Sequence, residues 1–338
     1  MRIAIVGITG VVGETIARIL DERAVPVDEL GAFASRDRGL PFHFRGRSIP
    51  IRAATAEALA GGRFDAVLFA SSEDASADLA GPCVDSGAVV IDNSSTFRMR
   101  EGIPLIVPEV NADTMRHEHR IFPVANCTAI VLCVGLAPVL RTAGLRSVRV
   151  ATYQAVSGAG RAGLDELAAG EAALARAGDE PAPRAFVAPI ARNVIPQIGT
   201  FDANGDSGEE LKVCEETRKI LGRPELHVAA TTVRVPVRFA HSEAVFIETE
   251  RDTSAAELSQ AFHDAPGVAF HAQGIVTPRE VEGTDLVHVA RVRAEGASRR
   301  HFQMWLVGDQ VRKGAALNAV QILEALMARK LVGTRTLQ

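Results

Sequence analysis

Short apolar runs alternate with amphipathic stretches along the N-terminal part of the chain. Residues 2–7 form such a run, and the stretch 12–22 places Ile16, Ile19 and Leu20 on one face of a helix. The same reasoning predicts further strands at 29–35, 66–71, 88–92 and 121–125, and a helix at 72–86. Continuous apolar strands separated by helices are typical of a parallel sheet covered on both faces. The pattern therefore predicts a doubly wound α/β domain.

The pattern changes from about residue 127, where a helix to about residue 141 is followed by longer strands. Alternation of apolar and polar positions, as at Val287, Val289 and Val292, favours antiparallel pairing with one covered face. The predicted strands cover 147–156, 233–239, 244–250, 286–294 and 302–311, with helices at 160–177 and 254–265 and a surface loop at 178–188. This part is predicted to be an α+β domain with a mainly antiparallel sheet.

The last helix predicts how the chain divides into domains. It covers residues 314–329, is amphipathic, and is expected to pack back on the first domain. A chain of 338 residues is long enough for two domains. We therefore expect one domain of residues 1–127 with 314–338, and a second domain of residues 128–313.

Composition and charge exclude several classes of protein. Hydrophobic residues make up 47% of the chain and charged residues 23%, as in an ordinary soluble globular protein. The formal net charge of −4 gives no basic excess for binding nucleic acid or an acidic membrane surface. The longest strongly apolar stretch, 130–140, is too short to span a bilayer. Neither nucleic acid nor a membrane is expected as a partner.

The cysteines indicate a reducing compartment. Cys83, Cys127, Cys133 and Cys214 are spread along the chain without a CxxC pair, which argues against a disulfide scaffold or a zinc ribbon. A cytoplasmic location is therefore expected. The HEH sequence at 117–119 lies between arginines and indicates a solvated loop, so no metal site is predicted.

A glycine-rich turn, GITGVVG, joins the first predicted strand to the first predicted helix. In that context glycines let the backbone approach a pyrophosphate, and the helix N-terminus supplies free N–H groups. A purely structural strand-to-helix turn is the alternative. The pattern favours nucleotide binding by a Rossmann-type domain, and its candidate cofactor contacts are Gly7, Thr9, Gly10, Val11, Val12 and Gly13.

The end of the second predicted strand bears on the choice of cofactor. An acidic residue there would hold a ribose 2′-hydroxyl, but this chain has Ser35, Arg36, Asp37 and Arg38. Two guanidinium groups and a hydroxyl suit a 2′-phosphate, which favours NADP over NAD, with Ser35 and Arg36 as contacts. The alternative is that both arginines are solvated surface cations and that Asp37 weakens the preference.

The sequence Asn126-Cys127-Thr128 lies where an apolar strand gives way to an apolar helix. The carboxyl ends of parallel strands line the ligand crevice of such folds. Helix N-termini favour the thiolate form of a cysteine, and Asn126 is a suitable cap. Cys127 is therefore a candidate nucleophile, although an inert buried thiol is the commoner case. The other three cysteines are predicted to be inert.

A thiolate beside a nicotinamide cofactor defines a reaction class. The sulfur adds to an aldehyde, hydride leaves to the cofactor, and a thioester remains for phosphate or water to cleave. Such chemistry needs a base. Arg234 and His241, expected in one strand segment, could supply an anion clamp and that base. The alternatives are a surface cation and a hydrogen-bonded core histidine.

Over essentially its full length the chain resembles the aspartate-β-semialdehyde dehydrogenase family. The resemblance rests on nine ordered segments rather than on one motif. They are GITGVVG at 7–13, DNSSTFRM at 92–99, PLIVPEVN at 104–111, NCT at 126–128, YQAVSGAG at 153–160, NVIPQI at 193–198, EELK at 209–212, RVPVRFAHSE at 234–243 and GAALNAVQ at 314–321.

The resemblance implies a role for each matching residue. Cys127 would be the nucleophile, Gln154 would position the reacting centre, and His241 would be the acid/base. The residues implied for substrate and cofactor are Arg234 for an α-carboxylate, Glu209 for an amino group, Arg98 and Lys212 for phosphate with Asn126 nearby, and Ser157, Gly158 and Asn318 near the cofactor. Without the resemblance, the i, i+3 pair of Glu209 and Lys212 would indicate only a solvated helix salt bridge.

The resemblance also implies a reaction and a fold. NADPH would reduce L-aspartyl-4-phosphate to L-aspartate 4-semialdehyde and phosphate through a cysteine thioester. The product would feed lysine (by way of diaminopimelate), methionine and threonine biosynthesis. The fold would be a Rossmann domain plus an α/β domain that forms the interface of a homodimer, with a tetramer left open, and the active site would lie between the domains.

Two alternatives and several departures stay open. One alternative is a related reductase of another acyl phosphate, such as N-acetylglutamyl phosphate, and the other is a non-catalytic nucleotide-binding paralogue. Ala125 and Val131 depart from the family pattern near the cysteine. Arg192 and Arg238 stand where uncharged residues are usual.

Overall fold

The computed structural model describes residues 1–37 and 39–332. Thirteen strands lie in the described part, namely β1 (Arg2–Val6), β2 (Glu29–Ala34), β3 (Pro41–Phe44), β4 (Arg47–Ala53), β5 (Ala66–Phe69), β6 (Val89–Asp92), β7 (Ile121–Pro123), β8 (Ser147–Gln154), β9 (His227–Arg234), β10 (His241–Glu248), β11 (Val268–His271), β12 (Val287–Ala294) and β13 (His301–Gly308).

Ten α-helices lie in the same described part. They are α1 (Val11–Glu22), α2 (Ala56–Gly61), α3 (Glu73–Asp85), α4 (Pro108–Asn111), α5 (Cys127–Ala143), α6 (Gly160–Ala175), α7 (Gly208–Leu221), α8 (Ala255–His263), α9 (Pro278–Val281) and α10 (Leu317–Ala328). Short 3₁₀ segments occur at Ala112–Thr114 and Val156–Ala159, and a π-helical turn at Arg312–Ala316 precedes α10.

The chain divides into two compact units. The first contains Met1–Ala125 and the described residues from Ala315 on, and the second contains Asn126–Gly314. The sequence predicted the divisions after residues 127 and 313. In the structure, Asn126, Cys127 and Gly314 belong to the second unit rather than to the first. The physical reason at the first division is that Asn126 caps α5, which packs within the second unit.

The first unit is built on a seven-stranded sheet in the order β3-β4-β2-β1-β5-β6-β7. All neighbouring pairs are parallel except β3 with β4. The central strands are buried because they are continuously apolar, and Ala4, Val6 and Phe69 share one core cluster. The helix α1 turns Ile16, Ile19 and Leu20 inward, as its spacing predicts. The doubly wound prediction is confirmed.

The hairpin of β3 and β4 was not predicted. It lies at the edge of the sheet and exposes polar side chains, so it lacks the apolar run that marks the central strands. Its turn residues Arg45 and Gly46 both have positive φ, at 48° and 72°. This geometry is that of a tight hairpin turn that matches the twist of the strands.

The second unit is built on a six-stranded sheet in the order β11-β12-β13-β10-β8-β9. The three central pairs are antiparallel, and the pairs β11–β12 and β8–β9 at the two edges are parallel. The helix α5 approaches this sheet closely through a small residue. A Cβ on Gly135 would lie 2.6 Å from Cδ1 of Leu306 on β13. The predicted mainly antiparallel sheet is confirmed.

One predicted strand of this unit was wrong. The sequence predicted a strand over 233–239, but β9 ends at Arg234 and β10 begins at His241. Between them the chain turns, with Ala240 at a φ of 65°. Arg234 and His241 therefore lie on different strands, with β8 between those strands in the sheet. The predicted loop at 178–188 contains neither helix nor strand among its residues, all of which are described.

In the part of the chain that the structure describes, no helix combines the length and the apolar character needed to cross a membrane.

Candidate active site

Three of the predicted site residues lie at one end of the six-stranded sheet. Gln154 ends β8 and is paired in register with Arg234, which ends the parallel strand β9. His241 begins the antiparallel strand β10, whose next residue pairs with Tyr153. The topology thus brings together three side chains that are far apart in the sequence.

Cys127 is the first residue of α5, and a cap fixes its position. The Asn126 Oδ1 accepts hydrogen bonds from the backbone N–H groups of Thr128, at 2.9 Å, and Ala129, at 3.1 Å. The predicted cap is therefore present. The Cys127 thiol is half-buried, and its Sγ lies 3.4 Å from Nε2 of His241. The sulfur and the imidazole are in direct contact.

His241 is fully buried between defined partners. Its Nδ1 accepts a hydrogen bond from the Ala155 backbone N–H at 3.0 Å, and its Nε2 lies 3.5 Å from the Gln154 side-chain nitrogen. Burial, together with the nearby Arg234 guanidinium, holds the pKa of His241 well below its usual value. The imidazole is therefore neutral at physiological pH.

Glu209 connects α7 to the other site residues. Its Oε1 accepts hydrogen bonds from the Gln154 side chain at 2.9 Å and from the Asn126 side chain at 3.0 Å. A capping box of Ser207 and Glu210 fixes the start of this helix. Lys212 lies one turn further along α7, so Glu209 and Lys212 share a helix face, as expected.

Arg234 is a buried cation, with 6% of its surface exposed. Its Nη1 donates to the Ala155 carbonyl at 2.6 Å, while its Nε has no hydrogen-bond partner among the described residues. Burial lowers the pKa of Arg234, whereas Cys127 and Glu209 oppose that effect. A buried guanidinium with an unused donor is suited to binding an anion.

Arg98 belongs to the first unit. It is nearly buried, and it donates from Nε to the Val124 carbonyl at 2.9 Å and from Nη2 to the Asn93 carbonyl at 2.8 Å. These contacts hold its side chain against the segment that leads to Asn126.

The glycine-rich turn of the first unit borders a cavity of about 550 Å³. Gly7, Thr9, Gly10 and Ser35 line this cavity, as do residues from the carboxyl ends of β1, β2 and β5. A Cβ on Gly7, whose φ is 89°, would lie 2.2 Å from the Ala70 carbonyl oxygen, so only glycine fits there. This cavity is suited to a dinucleotide, because a close backbone and a helix N-terminus border it.

The remaining residues of the glycine motif belong to the first helix. Val11, Val12 and Gly13 form the first turn of α1, whose N-cap residue is Gly10. A Cβ on Gly13 would lie 2.2 Å from the Gly7 carbonyl oxygen, so the third glycine allows the turn to pack against the helix. The motif therefore has the strand, turn and helix that a dinucleotide site requires.

The segment after β2 is exposed. Arg36 lies next to Ser35 and its side chain is open to solvent, and Arg38 lies outside the described residues. Asp37 accepts a hydrogen bond from the Ala53 backbone N–H at 2.5 Å. The carboxylate that could oppose a 2′-phosphate thus accepts a hydrogen bond from the backbone at the end of β4.

The three residues expected near the nicotinamide are engaged in internal contacts. The Ser157 hydroxyl bonds to the Arg238 carbonyl and to the Gln310 side chain within the second unit. A Cβ on Gly158 would lie 2.8 Å from Nη1 of Arg234, which places Gly158 beside the residues at the sheet end. Asn318 is fully buried in the first unit and donates to the Ile106 carbonyl at 3.0 Å.

Comparisons with known proteins identify the family. Residues 2–118 match the model "Semialdehyde dehydrogenase, NAD binding domain", and residues 136–313 match "Semialdehyde dehydrogenase, dimerisation domain". The aspartate-semialdehyde dehydrogenase of Aquifex aeolicus is 39% identical, over 98% of this chain and 99% of the relative. Aspartate-semialdehyde dehydrogenase 2 of Vibrio cholerae is 40% identical, over 96% and 97%. The chain belongs to the aspartate-semialdehyde dehydrogenase family.

A solved structure supports the same assignment to the aspartate-semialdehyde dehydrogenase family. The crystal structure of aspartate semialdehyde dehydrogenase II from Vibrio cholerae matches with a TM-score of 0.93 at 38% identity, covering 97% of this chain and 98% of that one. That protein has also been solved complexed with ASA. The predicted family and the predicted fold class are confirmed.

Three further groups hold the site in this member of the aspartate-semialdehyde dehydrogenase family, and sequence reasoning did not single them out. Glu216 accepts the Asn126 backbone N–H at 2.5 Å, and its spacing of i+7 from Glu209 was the available signal. The Ala155 N–H contacts His241. A Cβ on Gly314 would lie 2.8 Å from Cβ of Cys127, so the bare glycine makes room for the cysteine.

The other three cysteines of this family member differ from Cys127. Cys83 and Cys133 are fully buried, and Cys214 is half-buried. Burial raises the pKa of all three thiols, to about 12 for Cys83. The burial of Cys83 and Cys133 agrees with the prediction, whereas Cys214 is only half-buried, and the inertness of the three thiols stays a prediction.

Proposed function

We propose that this protein is an aspartate-semialdehyde dehydrogenase that uses NADPH to reduce L-aspartyl-4-phosphate to L-aspartate 4-semialdehyde and phosphate. The observation that carries the proposal is the 3.4 Å contact between the Cys127 sulfur and His241 Nε2 at the capped end of α5. A sulfur at a helix N-terminus beside a buried cation is placed to act as a nucleophile. The relative solved with ASA supports the substrate class.

The charges around the sulfur fit an amino-acid derivative. Arg234 has a free donor for the α-carboxylate, and Glu209 supplies negative charge for the amino group. The family resemblance assigns the phosphate group to Arg98 and Lys212, and Asn126 caps the start of α5. The Gln154 amide donates to Glu209, which fixes it at the reacting centre.

The reaction proceeds through a covalent intermediate on Cys127. The sulfur attacks the acyl carbon, phosphate departs, and a thioester remains. When bound, NADPH would supply the hydride that reduces this thioester to a hemithioacetal. His241, which contacts the sulfur, is the acid/base of these steps, and Gln154, whose amide nitrogen lies 3.5 Å from His241 Nε2, positions the reacting centre. The carbon–sulfur bond then breaks to release the aldehyde.

A spectrophotometric assay tests this function. Purified protein is given aspartate semialdehyde, phosphate and NADP, and the formation of NADPH is followed by its absorbance. We expect turnover with the native chain and none with Cys127→Ala, which should still bind NADPH. Turnover by the alanine variant would contradict covalent catalysis at this sulfur.

The reverse assay, in which each acyl phosphate is supplied and the consumption of NADPH is followed, separates the rival substrate. An N-acetylated amine carries no positive charge for Glu209 to face, so N-acetylglutamyl phosphate should be a poor substrate. Preference for that acyl phosphate, with Glu209→Gln equally active, would favour the alternative reductase. Failure of both substrates would favour a nucleotide-binding paralogue.

We further propose NADP rather than NAD as the cofactor, with Arg36 binding the 2′-phosphate. The support is the exposed Arg36 beside the cavity-lining Ser35, and the engagement of Asp37 by a backbone N–H. Arg36→Ala should raise the Michaelis constant for NADP far more than that for NAD. Equal effects on the two cofactors would remove Arg36 from this role. Ser157, Gly158 and Asn318 remain proposed neighbours of the nicotinamide end.

We also propose a homodimer in the cytoplasm. The second unit matches a dimerisation domain, and its sheet exposes Tyr153 and Phe246. The buried, protonated thiols Cys83 and Cys133 suit a reducing compartment. Light scattering after gel filtration should give twice the chain mass, while a tetramer would double that value. The proposed product is a precursor of lysine, methionine and threonine.

A further inference from the structure

An aromatic ring lies against the buried Arg234 guanidinium. The Cζ atom of Arg234 lies over the Phe186 ring, 5.7 Å from the ring centroid. At this distance a cation is attracted to the negative face of an aromatic ring, and the attraction is stronger where water is largely excluded, as it is around Arg234. Phe186 belongs to the segment between α6 and α7, where the sequence indicated only a surface loop at 178–188.

The helix α6 fixes the position of this ring. The Glu166 Oε2 accepts hydrogen bonds from the backbone N–H groups of Arg184, at 2.7 Å, and Ala185, at 2.6 Å. Gly163 lies on the same face of α6, one turn earlier, and a Cβ there would lie 3.0 Å from Cζ of Phe186. The chain is therefore anchored directly before Phe186, and a small residue makes room for its ring.

The same segment also holds the backbone of Arg234. The Ile195 N–H donates to the Arg234 carbonyl at 2.9 Å, and the Arg234 N–H donates to the Ile195 carbonyl at 2.8 Å. Ile195 belongs to the buried apolar cluster against which Phe186 packs. One segment thus contacts both the main chain and the guanidinium of Arg234.

These contacts restrict the orientation of the guanidinium. The ring lies against it, and the Ala155 carbonyl accepts from Nη1 at 2.6 Å. A carboxylate accepts two parallel N–H bonds only when it lies in the plane of the guanidinium. A guanidinium that is already held in one plane loses less conformational freedom when the carboxylate binds.

We propose that Phe186 is a positioning residue for carboxylate recognition, because its ring holds the plane in which the Arg234 guanidinium meets the α-carboxylate of the substrate. This inference rests on the proposed function, in which Arg234 binds that group. Cys127 and His241, which carry out the chemistry, lie on α5 and β10, and Phe186 lies on neither. Loss of the ring therefore weakens binding of the ground state and the transition state alike, which raises the Michaelis constant and leaves kcat unchanged.

Phe186→Leu tests this role, because leucine keeps an apolar side chain but has no aromatic face. In the assay with aspartate semialdehyde, phosphate and NADP, we expect its Michaelis constant for aspartate semialdehyde to rise about tenfold. Its kcat and its Michaelis constants for phosphate and NADP should stay within about twofold of the native values. An unchanged Michaelis constant for aspartate semialdehyde, or a loss confined to kcat, would overturn the proposal.

Leu164→Ala is the matched structural control. Leu164 packs against the same apolar cluster as Phe186, so its truncation disturbs the packing around α6 without removing the ring. This variant should lower the urea midpoint and keep the native Michaelis constants. Equal rises of the Michaelis constant for aspartate semialdehyde in Leu164→Ala and Phe186→Leu would show a general packing effect and overturn the proposal.

Glu166 provides a second test that leaves the ring in place. Glu166→Ala removes the acceptor of the Arg184 and Ala185 N–H groups and should raise the same Michaelis constant, whereas Glu166→Gln keeps an acceptor oxygen and should stay near native. In the Phe186→Leu background, Glu166→Ala should add less than about twofold, because the ring that it positions is gone. Full additivity of the two changes would contradict the proposal.

The outcomes for the native chain separate this inference from the proposed function. If the native chain shows no turnover, the proposed function fails, and the inference fails with it. If the native chain turns over aspartate semialdehyde and Phe186→Leu has the native Michaelis constant, only the role of Phe186 fails.

Discussion

The contact between Gly314 and Cys127 gives a sharp steric prediction. Gly314 lies in the π-helical turn before α10, and its φ is not among the positive values, so alanine can adopt its backbone conformation. A Cβ placed there would lie 2.8 Å from Cβ of Cys127 and 3.2 Å from its Cα. The best carbon–carbon separation is about 3.5–4.0 Å, so the two residues must part by about 0.7–1.2 Å.

That displacement moves Cys127, the proposed nucleophile. A shift of about 1 Å at a reacting group costs about 10²-fold in rate, whereas overpacking costs about 1–3 kcal/mol of stability. We expect Gly314→Ala to fold, to bind NADPH, and to lose about 100-fold in kcat. The assay is turnover at saturating substrate, combined with urea unfolding and alkylation of Cys127.

A second glycine provides the matched control. Gly61 ends α2 in the first unit, is exposed, and has no atom within 4 Å of its built Cβ among the described residues. Gly61→Ala should leave kcat unchanged. If Gly314→Ala also stays within about twofold of the native kcat, the steric reasoning and the placement of the sulfur against that turn are refuted.

Three further outcomes follow from burial and capping. Burial raises the pKa of Glu243 well above its usual 4.5, so the contribution of this carboxyl to stability is full below pH 4.5 and is lost as the pH rises. Glu243→Gln should therefore raise the urea midpoint at neutral pH, by an amount that vanishes towards pH 4.5. An equal gain at neutral pH and at pH 4.5 would contradict this reasoning. Iodoacetamide should label Cys127 well before Cys83 and Cys133, as read by peptide mass spectrometry, since their pKa values are raised by burial. Asn126→Ala should lower the unfolding free energy by about 1 kcal/mol, and no loss would show that the cap contributes nothing.

Features that depend on neighbouring residues could be predicted from the sequence. The central strands of the first sheet were predicted because they are continuously apolar, and α1 because its apolar residues recur on one face. Gly7 was identified because its turn requires a residue without a side chain. The cap at Asn126 was predicted because it acts on N–H groups two and three residues ahead. Such signals lie within a few residues of the element that they define.

Features that depend on register between distant strands could not be predicted in this way. Arg234 and His241 were expected on one strand, because the mostly apolar residues between them predict a continuous strand. In the structure the chain turns there, and the two residues lie on β9 and β10, with β8 between these strands. The resemblance supplied the roles of these residues but gave no contact between them. The edge hairpin of β3 and β4 has only short apolar stretches, which His43 and the polar residues of β4 interrupt.

By itself, the sequence determined the class of fold, the dinucleotide turn, and a cysteine at a helix N-terminus, because apolar periodicity, glycine and capping act locally. Only the tertiary structure decided which nitrogen of His241 faces the sulfur, which carboxylate holds Asn126, and how much room Gly314 leaves. Those properties arise from contacts between residues tens to hundreds of positions apart, whose geometry is set by strand order and helix packing rather than by any local pattern.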